Sequence, residues 1–226
     1  MISVIIPVKN AEKTIKESIN SVINQNISDI EIICVINNCT DNSLQEIESI
    51  KDDRIKILNS SPGIVAALNK GLKFATGELI ARQDADDIWA PQKLIKQLNF
   101  LKSHPDIDIL GTQIKIINQN NEPIGSSNYP LECNEIINYM DQGINPIAHS
   151  SVIFKSKILE KCAGYWDIFL MTEDFDFWFR CSMWFRFANL EEELVFYKKW
   201  DNPKWDPRVP QVCTQWYKYL LSIYKD

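Results

Sequence analysis

Short apolar runs alternate, in the first half of the chain, with segments whose apolar residues recur every three or four positions. In the first such segment Ile15, Ile19, Val22 and Ile23 have helical spacing, and Asn10 is placed to cap the helix. Continuous apolar strands that alternate with helices are typical of a parallel sheet covered on both faces, which predicts an α/β fold. The predicted strands are SVIIPV (3–8), IEIICVI (30–36), RIKIL (54–58) and ELIAR (78–82), with a further helix from about 64 to 75.

The pattern changes after Pro91, a residue that suits the first turn of a helix. A helical stripe ends near SHPD, and the segments beyond it are short alternating strands, a turn-rich stretch and one aromatic helix. The second half is therefore predicted to be mixed α+β, in one domain with the first. The segments are DIDILGTQIKIINQ and the turn-rich NEPIGSSNYP, then the strands SSVIFK and FANLEEELVFYKK around the helix EDFDFWFRCSMWF.

The last segment has helical spacing after three prolines. Two interpretations stay open: a terminal helix packed on the body, or a helix that binds a membrane surface or a partner. Its few basic residues weaken the second interpretation. The apolar residues of the stripe are Val212, Trp216, Tyr219, Leu220 and Ile223.

Composition and charge exclude several classes of protein. The chain has 226 residues, 45% of them hydrophobic, with 24 basic against 30 acidic side chains and no run of Lys and Arg. These values predict a globular domain without direct nucleic-acid binding. The N-terminus has neither a signal-peptide pattern nor a membrane span, so we expect an uncleaved cytoplasmic protein, with peripheral membrane association left open. The six cysteines have no CxxC spacing and are expected to be free thiols, mostly buried.

Three carboxylates follow the fourth predicted strand, in ARQDADD. Asp84, Asp86 and Asp87 would lie at the carboxyl ends of the strands, where open parallel sheets bind ligands. Two carboxylates one residue apart can direct oxygens toward Mg²⁺ or Mn²⁺, often together with a substrate diphosphate. An isolated DxD is more often a solvated loop with an Asp capping the next helix.

The surroundings of this cluster resemble the consecutive motifs of family 2 glycosyltransferases. The resemblance covers about residues 2–199 in the right order. It implies the GT-A fold, a Rossmann-like and mostly parallel central sheet flanked by helices. A nucleotide-sugar-binding half at about 1–103 would be joined to an acceptor-binding half at about 104–199, with a tail helix at about 200–226. The motifs are IIPVKNAEKTIKESINSVINQ, EIICVINNCTDNS, GIVAALNKGLKFATGELIARQDADDIWAPQKLIKQL, NPIAHSSVIF, AGYWD, TEDFDFWFR and LVFYKK.

By this resemblance, one set of residues binds the nucleotide sugar. Asp84 would contact the ribose or the cation, and Asp86 would bind a divalent cation, Mn²⁺ or Mg²⁺, on the diphosphate. Asn37 replaces a residue that is commonly acidic in the family, so it could still accept a hydrogen bond from the base but supplies no charge. Arg82 either fixes the carboxylates or meets phosphate. The full set of expected donor-binding residues is Pro7, Val8, Asn10, Asn37, Asp41, Asn69, Arg82 and Asp84.

The same resemblance assigns the acceptor side. Asp174 is expected to be the general base, Glu173 to orient the acceptor, and His149 to contact the acceptor or the diphosphate. From chemistry alone, two acids at a helix start more often interact with the helix dipole. Trp200 stands where many relatives carry a His that approaches the metal or diphosphate.

The expected function is metal-assisted transfer of one sugar, with inversion, from a nucleotide-diphosphate sugar to an acceptor hydroxyl. A UDP-sugar is slightly favoured, the acceptor would be a glycan or a lipid-linked or protein-linked group, and polysaccharide biosynthesis is the expected setting. A degenerate nucleotide- or carbohydrate-binding module of the same fold is the alternative, motivated by Asn37 and Trp200. Nucleotidyltransferases, dinucleotide enzymes and P-loop enzymes are opposed by the absence of their glycine-rich motifs.

Overall fold

A computed structural model describes residues 1–167, 172–200 and, near the C-terminus, 212, 214–216, 218–219 and 222. Within this part of the chain, nine strands form one sheet. The strands are β1 (Ile2–Val8), β2 (Ile30–Ile36), β3 (Ile55–Asn59), β4 (Leu79–Arg82), β5 (Ile88–Trp89), β6 (Ile109–Ile117), β7 (Pro123–Ser126), β8 (Ile153–Lys155) and β9 (Phe187–Lys198).

The helices lie between these strands, as the alternation of apolar patterns predicts. Two short 3-10 turns, His149–Ser151 and Ser156–Ile158, flank β8. The α-helices are α1 (Ile15–Ile23), α2 (Ser43–Glu48), α3 (Ile64–Phe74), α4 (Lys93–Ser103), α5 (Cys133–Asp141), α6 (Leu159–Cys162) and α7 (Glu173–Ser182).

The sheet is parallel in the first half of the chain and mixed in the second. Its strand order is β3-β2-β1-β4-β8-β6-β9-β5, with β7 paired to β6. Strands β1 to β4 pair in parallel, which confirms the prediction from their continuous apolar sequences. Strand β8 then runs antiparallel to both β4 and β6, while β9 runs parallel to β6. The mixed second half is also as predicted, and the turn-rich stretch contains the short strand β7.

Both faces of the parallel half are covered, which explains why its strands need no polar alternation. Val4 and Ile6 of β1 pack with Ile15 and Ile19 of α1 on one face. Ile5, between them, points to the other face, where it packs with Leu68 of α3. Helix α3 approaches β1 closely because residue 71 is glycine: a Cβ there would lie 2.5 Å from the Ile5 Cγ2 atom.

The predicted cap of the first helix is wrong. Helix α1 begins at Ile15, and no side-chain bond caps its N-terminus at Thr14. Asn10 lies in the preceding loop in the left-handed region, at φ 49°. Its side-chain oxygen accepts a hydrogen bond of 2.9 Å from the Thr40 N–H. The Asn10 amide therefore joins the loops that follow β1 and β2. It does not cap α1, because the chain turns for several residues after Asn10 before the helix begins.

Three residues of the predicted apolar stripe are exposed in the described part of the tail. Val212, Trp216 and Tyr219 are 53%, 47% and 59% exposed, whereas Thr214 is 3% exposed. Thr214 donates a hydrogen bond of 2.9 Å to the Met140 carbonyl. Carbonyls in the last turn of a helix have no partner within that helix, so they are available to such a donor. Leu220 and Ile223 lie outside the described residues.

The described residues bear on two further expectations, which concern the cysteines and membrane-spanning helices. Cys34, Cys133, Cys162 and Cys181 are buried free thiols, and Cys39 is a partly buried one, whereas Cys213 lies outside this part of the chain. Among the described helices, none combines the length and apolar character needed to cross a membrane.

Candidate active site

The carboxylates Asp84, Asp86 and Asp87, here called the strand-end cluster, follow β4 directly. β4 pairs in parallel with β1, so the cluster lies at the same edge of the sheet as the loop after β1. Asp84 forms an ion pair with Arg82 at the end of the strand. Arg82 is only 4% exposed, and its Nε has no hydrogen-bond partner among the described residues. A buried guanidinium with an unpaired donor is suited to binding a further anion.

The other two carboxylates of the cluster are held by the end of β9. The Trp200 indole N–H donates to Asp86 Oδ2 at 2.6 Å. The backbone N–H of Lys198 donates to Asp87 Oδ1 at 2.8 Å. Each of the three aspartates therefore has a donor of its own, which explains how the turn tolerates so much like charge.

Burial separates the three aspartates further. Asp87 is fully buried, and burial followed by the charges of Asp84 and Asp86 raises its pKa well above the usual value. Asp86 is half-buried, and burial and the Asp84 charge raise its pKa, while the bond from Trp200 lowers it in part. Asp87 has the environment of a structural residue, while Asp86 is open to a ligand.

The cluster fits a divalent cation only with help from another ligand. Among the described residues, no three acidic, His or Cys side chains form a group that could hold a metal ion. Mg²⁺ is commonly bound by one or two carboxylates, with substrate phosphates and water completing the shell. The raised pKa of Asp86 shows that uncompensated negative charge is unfavourable there, and a cation would relieve it. Because Arg82 already neutralises Asp84, Asp86 is the better cation ligand of the pair.

The residues expected to contact the nucleoside at the end of β1 are less accessible than predicted. Pro7 and Val8 belong to the strand, paired with Val35 and Ile36, and are not part of the loop. Val8 is fully buried, and its carbonyl accepts the Asn37 N–H at 2.9 Å. Both side chains are therefore buried within β1, which ends at Val8 as the predicted strand does.

Asn37 and Asp41 lie on the loop after β2 and have different roles. Asn37 is buried, and its amide bonds to Ser60 Oγ and to the backbone of Ser61 and Gly63, which fixes the loop after β3. These bonds use the polar atoms that were expected to contact a base. Asp41 instead lines a cleft of about 440 Å³ at the ends of β2 and β3.

The Asp41 carboxylate is fixed and charged. It accepts hydrogen bonds from the Glu12 N–H and from both the N–H and the hydroxyl of Ser43, at 2.5–3.0 Å. Burial alone would raise its pKa, but the bonds from Ser43 and Glu12 outweigh burial and lower it. A fixed carboxylate in this cleft is suited to accepting hydrogen bonds from a polar ligand.

Asn69, expected to bind the donor, is instead paired with protein backbone. Its Nδ2 donates to the Tyr165 carbonyl at 2.8 Å, and its Oδ1 accepts the Tyr165 N–H at 2.9 Å. Both sides of the amide are thus occupied by one residue 96 positions away. Asn69 therefore ties α3 to the segment around Tyr165, after α6.

Glu173 and Asp174, here called the helix-start pair, form the first residues of α7. Asp174 Oδ2 accepts a bond of 2.8 Å from Asn145 Nδ2, and its Oδ1 accepts the Phe175 N–H at 2.7 Å. Burial raises the pKa of Asp174, and these two bonds lower it in part. Burial, followed by the charge of Asp174, raises the pKa of Glu173 to about 7. Both carboxyls of the pair therefore accept a proton more readily than an exposed carboxyl does.

His149 packs against Trp178 of α7, the helix that the pair opens, and is already hydrogen-bonded. Its Nε2 forms a hydrogen bond of 2.8 Å with the Tyr165 hydroxyl. Burial, followed by the Arg82 charge, lowers the pKa of His149 well below its usual value. A neutral imidazole is expected here, so direct charge pairing with a diphosphate is not favoured.

Arg82 connects the two acidic groups electrostatically. Its positive charge lowers the pKa values of Asp86, Glu173 and Asp174, against the larger effect of burial. The charge of Asp84 also raises the pKa of both members of the helix-start pair. The strand-end cluster and the helix-start pair are thus close enough to interact, as residues on two sides of one site would be.

Three site residues were not assigned by the sequence. Asn145 is the first residue of the NPIAHSSVIF motif, so its place in that motif was the available signal. Tyr165 lies within AGYWD, but its bond to His149 spans 16 positions and has no periodic signature. Trp200 was noticed only as a replacement for histidine, and its bond to Asp86 spans 114 positions.

The chain matches the family described as "Glycosyl transferase family 2" over residues 3–163. It is 34% identical over 208 residues to the Escherichia coli O-antigen biosynthesis glycosyltransferase WbnJ, covering 88% of this chain and 79% of that protein. An uncharacterized glycosyltransferase of Haemophilus influenzae is 33% identical, and the match spans 65% of its length.

Solved structures share the fold. The structure of S. aureus TarS 1-349 in complex with UDP-GlcNAc has a TM-score of 0.71 at 24% identity, covering 89% of this chain and 59% of that one. The mannosyltransferase PcManGT from Pyrobaculum calidifontis, in complex with GDP-Man and Mn²⁺, has a TM-score of 0.67 at 18% identity, covering 100% of this chain and 64% of that one. These similarities confirm the predicted GT-A fold.

Proposed function

The chain belongs to glycosyl transferase family 2, and from that premise we propose that it transfers one sugar, with inversion, from a nucleotide-diphosphate sugar to an acceptor hydroxyl. The convergence of the strand-end cluster and the helix-start pair around Arg82 carries the proposal. One group is suited to a diphosphate with its cation, and the other is suited to accepting a proton.

On the donor side, the nucleotide would lie along the edge formed by the ends of β2, β1 and β4. Asp41 lines the cleft at the end of β2 and has a carboxylate held in one orientation. Arg82 has an unpaired buried Nε–H and an ion pair with Asp84, and these two residues would contact the ribose or the diphosphate. A divalent cation held by Asp86 would supply positive charge against the departing diphosphate.

On the acceptor side, Asp174 is the proposed general base. Asn145 and the Phe175 N–H hold its two oxygens, and burial raises its pKa. As the acceptor oxygen attacks the anomeric carbon, the bond from that carbon to the diphosphate breaks and the hydroxyl proton passes to Asp174. A single displacement of this kind inverts the configuration, and a positioned base contributes about 10²- to 10⁴-fold.

The names of the similar proteins support the classes of donor and acceptor. TarS was solved with UDP-GlcNAc and PcManGT with GDP-Man and Mn²⁺, which supports a nucleotide sugar and a divalent cation. WbnJ and the Erwinia amylovora protein AmsE are named for O-antigen and amylovoran biosynthesis. We therefore favour a sugar acceptor in polysaccharide biosynthesis, with a UDP-sugar as the first donor to test.

A donor screen tests this proposal directly. The purified chain is incubated with UDP-glucose, UDP-GlcNAc and GDP-mannose, each with Mn²⁺, with Mg²⁺ or with EDTA, and release of the nucleoside diphosphate is measured. We expect slow release from at least one donor, dependent on the cation. Asp86→Asn should lower this release, while Asp53→Asn, a change at an exposed aspartate, should leave it unchanged.

Calorimetry with UDP and GDP distinguishes the alternative. Binding of a nucleoside diphosphate without release from any donor would overturn the proposed transfer. It would favour the nucleotide-binding module that Asn37 and Trp200 first suggested.

A further inference from the structure

The end of β9 crosses the strand-end cluster and bonds to it twice. The Lys198 N–H bonds to Asp87, and two residues later the Trp200 indole N–H bonds to Asp86 Oδ2 at 2.6 Å. The first bond is a backbone contact that fixes the course of the chain. The second depends on the side chain, so its presence is specific to tryptophan at this position.

The chemistry of the indole limits what Trp200 can do. The indole nitrogen is a donor only and has no lone pair for a cation, so Trp200 cannot replace a ligating histidine. An ionised carboxylate has about four acceptor sites, so Asp86 can accept this bond and still bind a cation. A bond of 2.6 Å to a charged oxygen belongs to the strong class of charge-assisted hydrogen bonds, which orient as well as stabilise.

Packing alone explains Trp200 less well. The side chain is 43% exposed, so much of its apolar surface gains nothing from burial. Its polar atom, in contrast, meets the one cluster carboxylate that is both half-buried and without an arginine partner. The contact is therefore better explained by orientation of Asp86 than by core stability.

We propose that Trp200 is a positioning residue, which holds the Asp86 carboxylate in the orientation that receives the divalent cation and the donor diphosphate. This inference rests on the proposed function, since it assigns the cation to Asp86. Hydrogen bonds from neighbouring groups to a metal ligand typically contribute 10- to 100-fold to metal affinity, and the exposure of Trp200 places it at about 10-fold.

The test compares Mn²⁺ binding to the full chain and to Trp200→Phe, which keeps an aromatic ring but loses the N–H. Free Mn²⁺ is measured by electron paramagnetic resonance with UDP present. We expect the Mn²⁺ dissociation constant to rise about 10-fold in the variant. Trp184→Phe is the matched control, because Trp184 is 64% exposed after the end of α7, and it should bind Mn²⁺ like the parent chain.

An NMR measurement tests the contact without depending on activity or on the variant's folding. The Trp200 indole N–H resonance is assigned by its loss in Trp200→Phe or, if that variant does not fold, by its shift in Asp86→Asn. We expect this resonance to move when Mg²⁺ and UDP are added to the parent chain, and the Trp184 resonance to stay in place.

The outcomes separate this inference from the proposed function. Equal Mn²⁺ affinity in the parent chain and in folded Trp200→Phe would overturn the role of Trp200 and leave the transfer reaction standing. An indole resonance that ignores Mg²⁺ with UDP would do the same. Absence of Mn²⁺ binding by the parent chain would overturn the inference together with the cation-assisted part of the proposed function.

Discussion

The strand-end cluster and the helix-start pair contain the same functional group in two different settings. The cluster follows a buried strand, and its carboxylates meet the nearby Arg82 and, from a segment more than 110 positions away, an indole and a backbone N–H. The pair opens a helix, where the helix dipole favours negative charge, and the bonds to Asp174 come from an amide and a backbone N–H. Among the described residues, a cationic side chain forms an ion pair with the cluster and none does so with the pair.

This difference divides the chemistry of the site. In the cluster, the ion pair and the hydrogen bonds hold the carboxylates in position, and the raised pKa of Asp86 is one that a bound cation would lower, which suits binding of a cation and a diphosphate. In the pair, buried carboxylates with neutral partners have raised pKa values and accept a proton more readily. The positive charge of Arg82 lowers the pKa values of Glu173 and Asp174 in part.

The largest expected effect is on the helix-start pair, at the proposed general base. Asp174→Asn keeps the bond from Asn145 to the side-chain oxygen but removes the basic oxygen, so transfer should fall about 10²- to 10⁴-fold. Nucleotide binding should be retained, because the strand-end cluster is unchanged. Steady-state rates and UDP calorimetry on the same preparation measure both quantities.

Asp86→Asn is the matched counterpart on the other group. It should weaken Mn²⁺ binding, which Asp174→Asn should not. If Asp174→Asn transfers sugar at the parental rate while still binding nucleotide, the proton acceptor is another residue and the division drawn here is wrong.

Much of the fold was predictable because local sequence determines it. Strands β1 and β2 are apolar runs buried along their whole length, and β9 was predicted over residues 187–199 and observed over Phe187–Lys198. Strand β5 was not predicted, because two residues, Ile88 and Trp89, have no period and pair only through β9. The exposure of Val212, Trp216 and Tyr219 has a related reason: helical spacing identifies an apolar face, but tertiary contacts decide which residues are buried.

The sequence indicated which types of residue form the site, but it did not indicate most of the contacts that these residues make. The position of the strand-end cluster follows from a strand that ends in ARQDADD, a pattern visible in the chain. The hydrogen-bond partners of Asn37, Asn69 and Asp86 cannot be predicted in this way, since each bond joins segments separated by 23 to 114 positions. Long-range partners of this kind depend on the folded sheet order and leave no periodic trace in sequence.

Within the strand-end cluster, Asp87 is expected to contribute to stability. Asp87→Ala removes the buried acceptor of the Lys198 N–H, so the free energy of unfolding should fall by about 1–3 kcal/mol. Denaturant unfolding measures this change. Asp53→Ala is the matched control at an exposed aspartate and should stay within about 0.5 kcal/mol of the parent chain. A change at Asp87 as small as that of the control would remove the structural role assigned to it.

The smallest expected effect concerns pH and the coupling within the helix-start pair. Burial and the charge of Asp174 raise the pKa of Glu173 to about 7, and the charges facing the pair are those of Arg82 and Asp84. Two neighbouring carboxyls titrate together, so the pair holds an extra proton below about pH 7. Because the base must be ionised, transfer should rise with pH through about 7.

Glu173→Gln removes one negative charge beside Asp174, so the pKa of Asp174 should fall and the rising arm of the rate profile should move to lower pH. The same change has a stability signature. A carboxyl whose pKa is raised by folding contributes stability below its unfolded value, and that contribution is lost as the pH rises through about 7. Glu173→Gln should therefore lose less thermal stability between pH 5 and pH 8 than the parent chain.

Glu160→Gln, at an exposed position of α6, is the matched control and should change neither curve. Movement of the rate arm without any change in the stability curve would mean that Glu173 influences the base but that folding does not raise the pKa of Glu173 itself. An unchanged rate arm would mean that Glu173 does not influence the base. The helix-start pair would then differ from the strand-end cluster only in its partners, and its two acids would act independently.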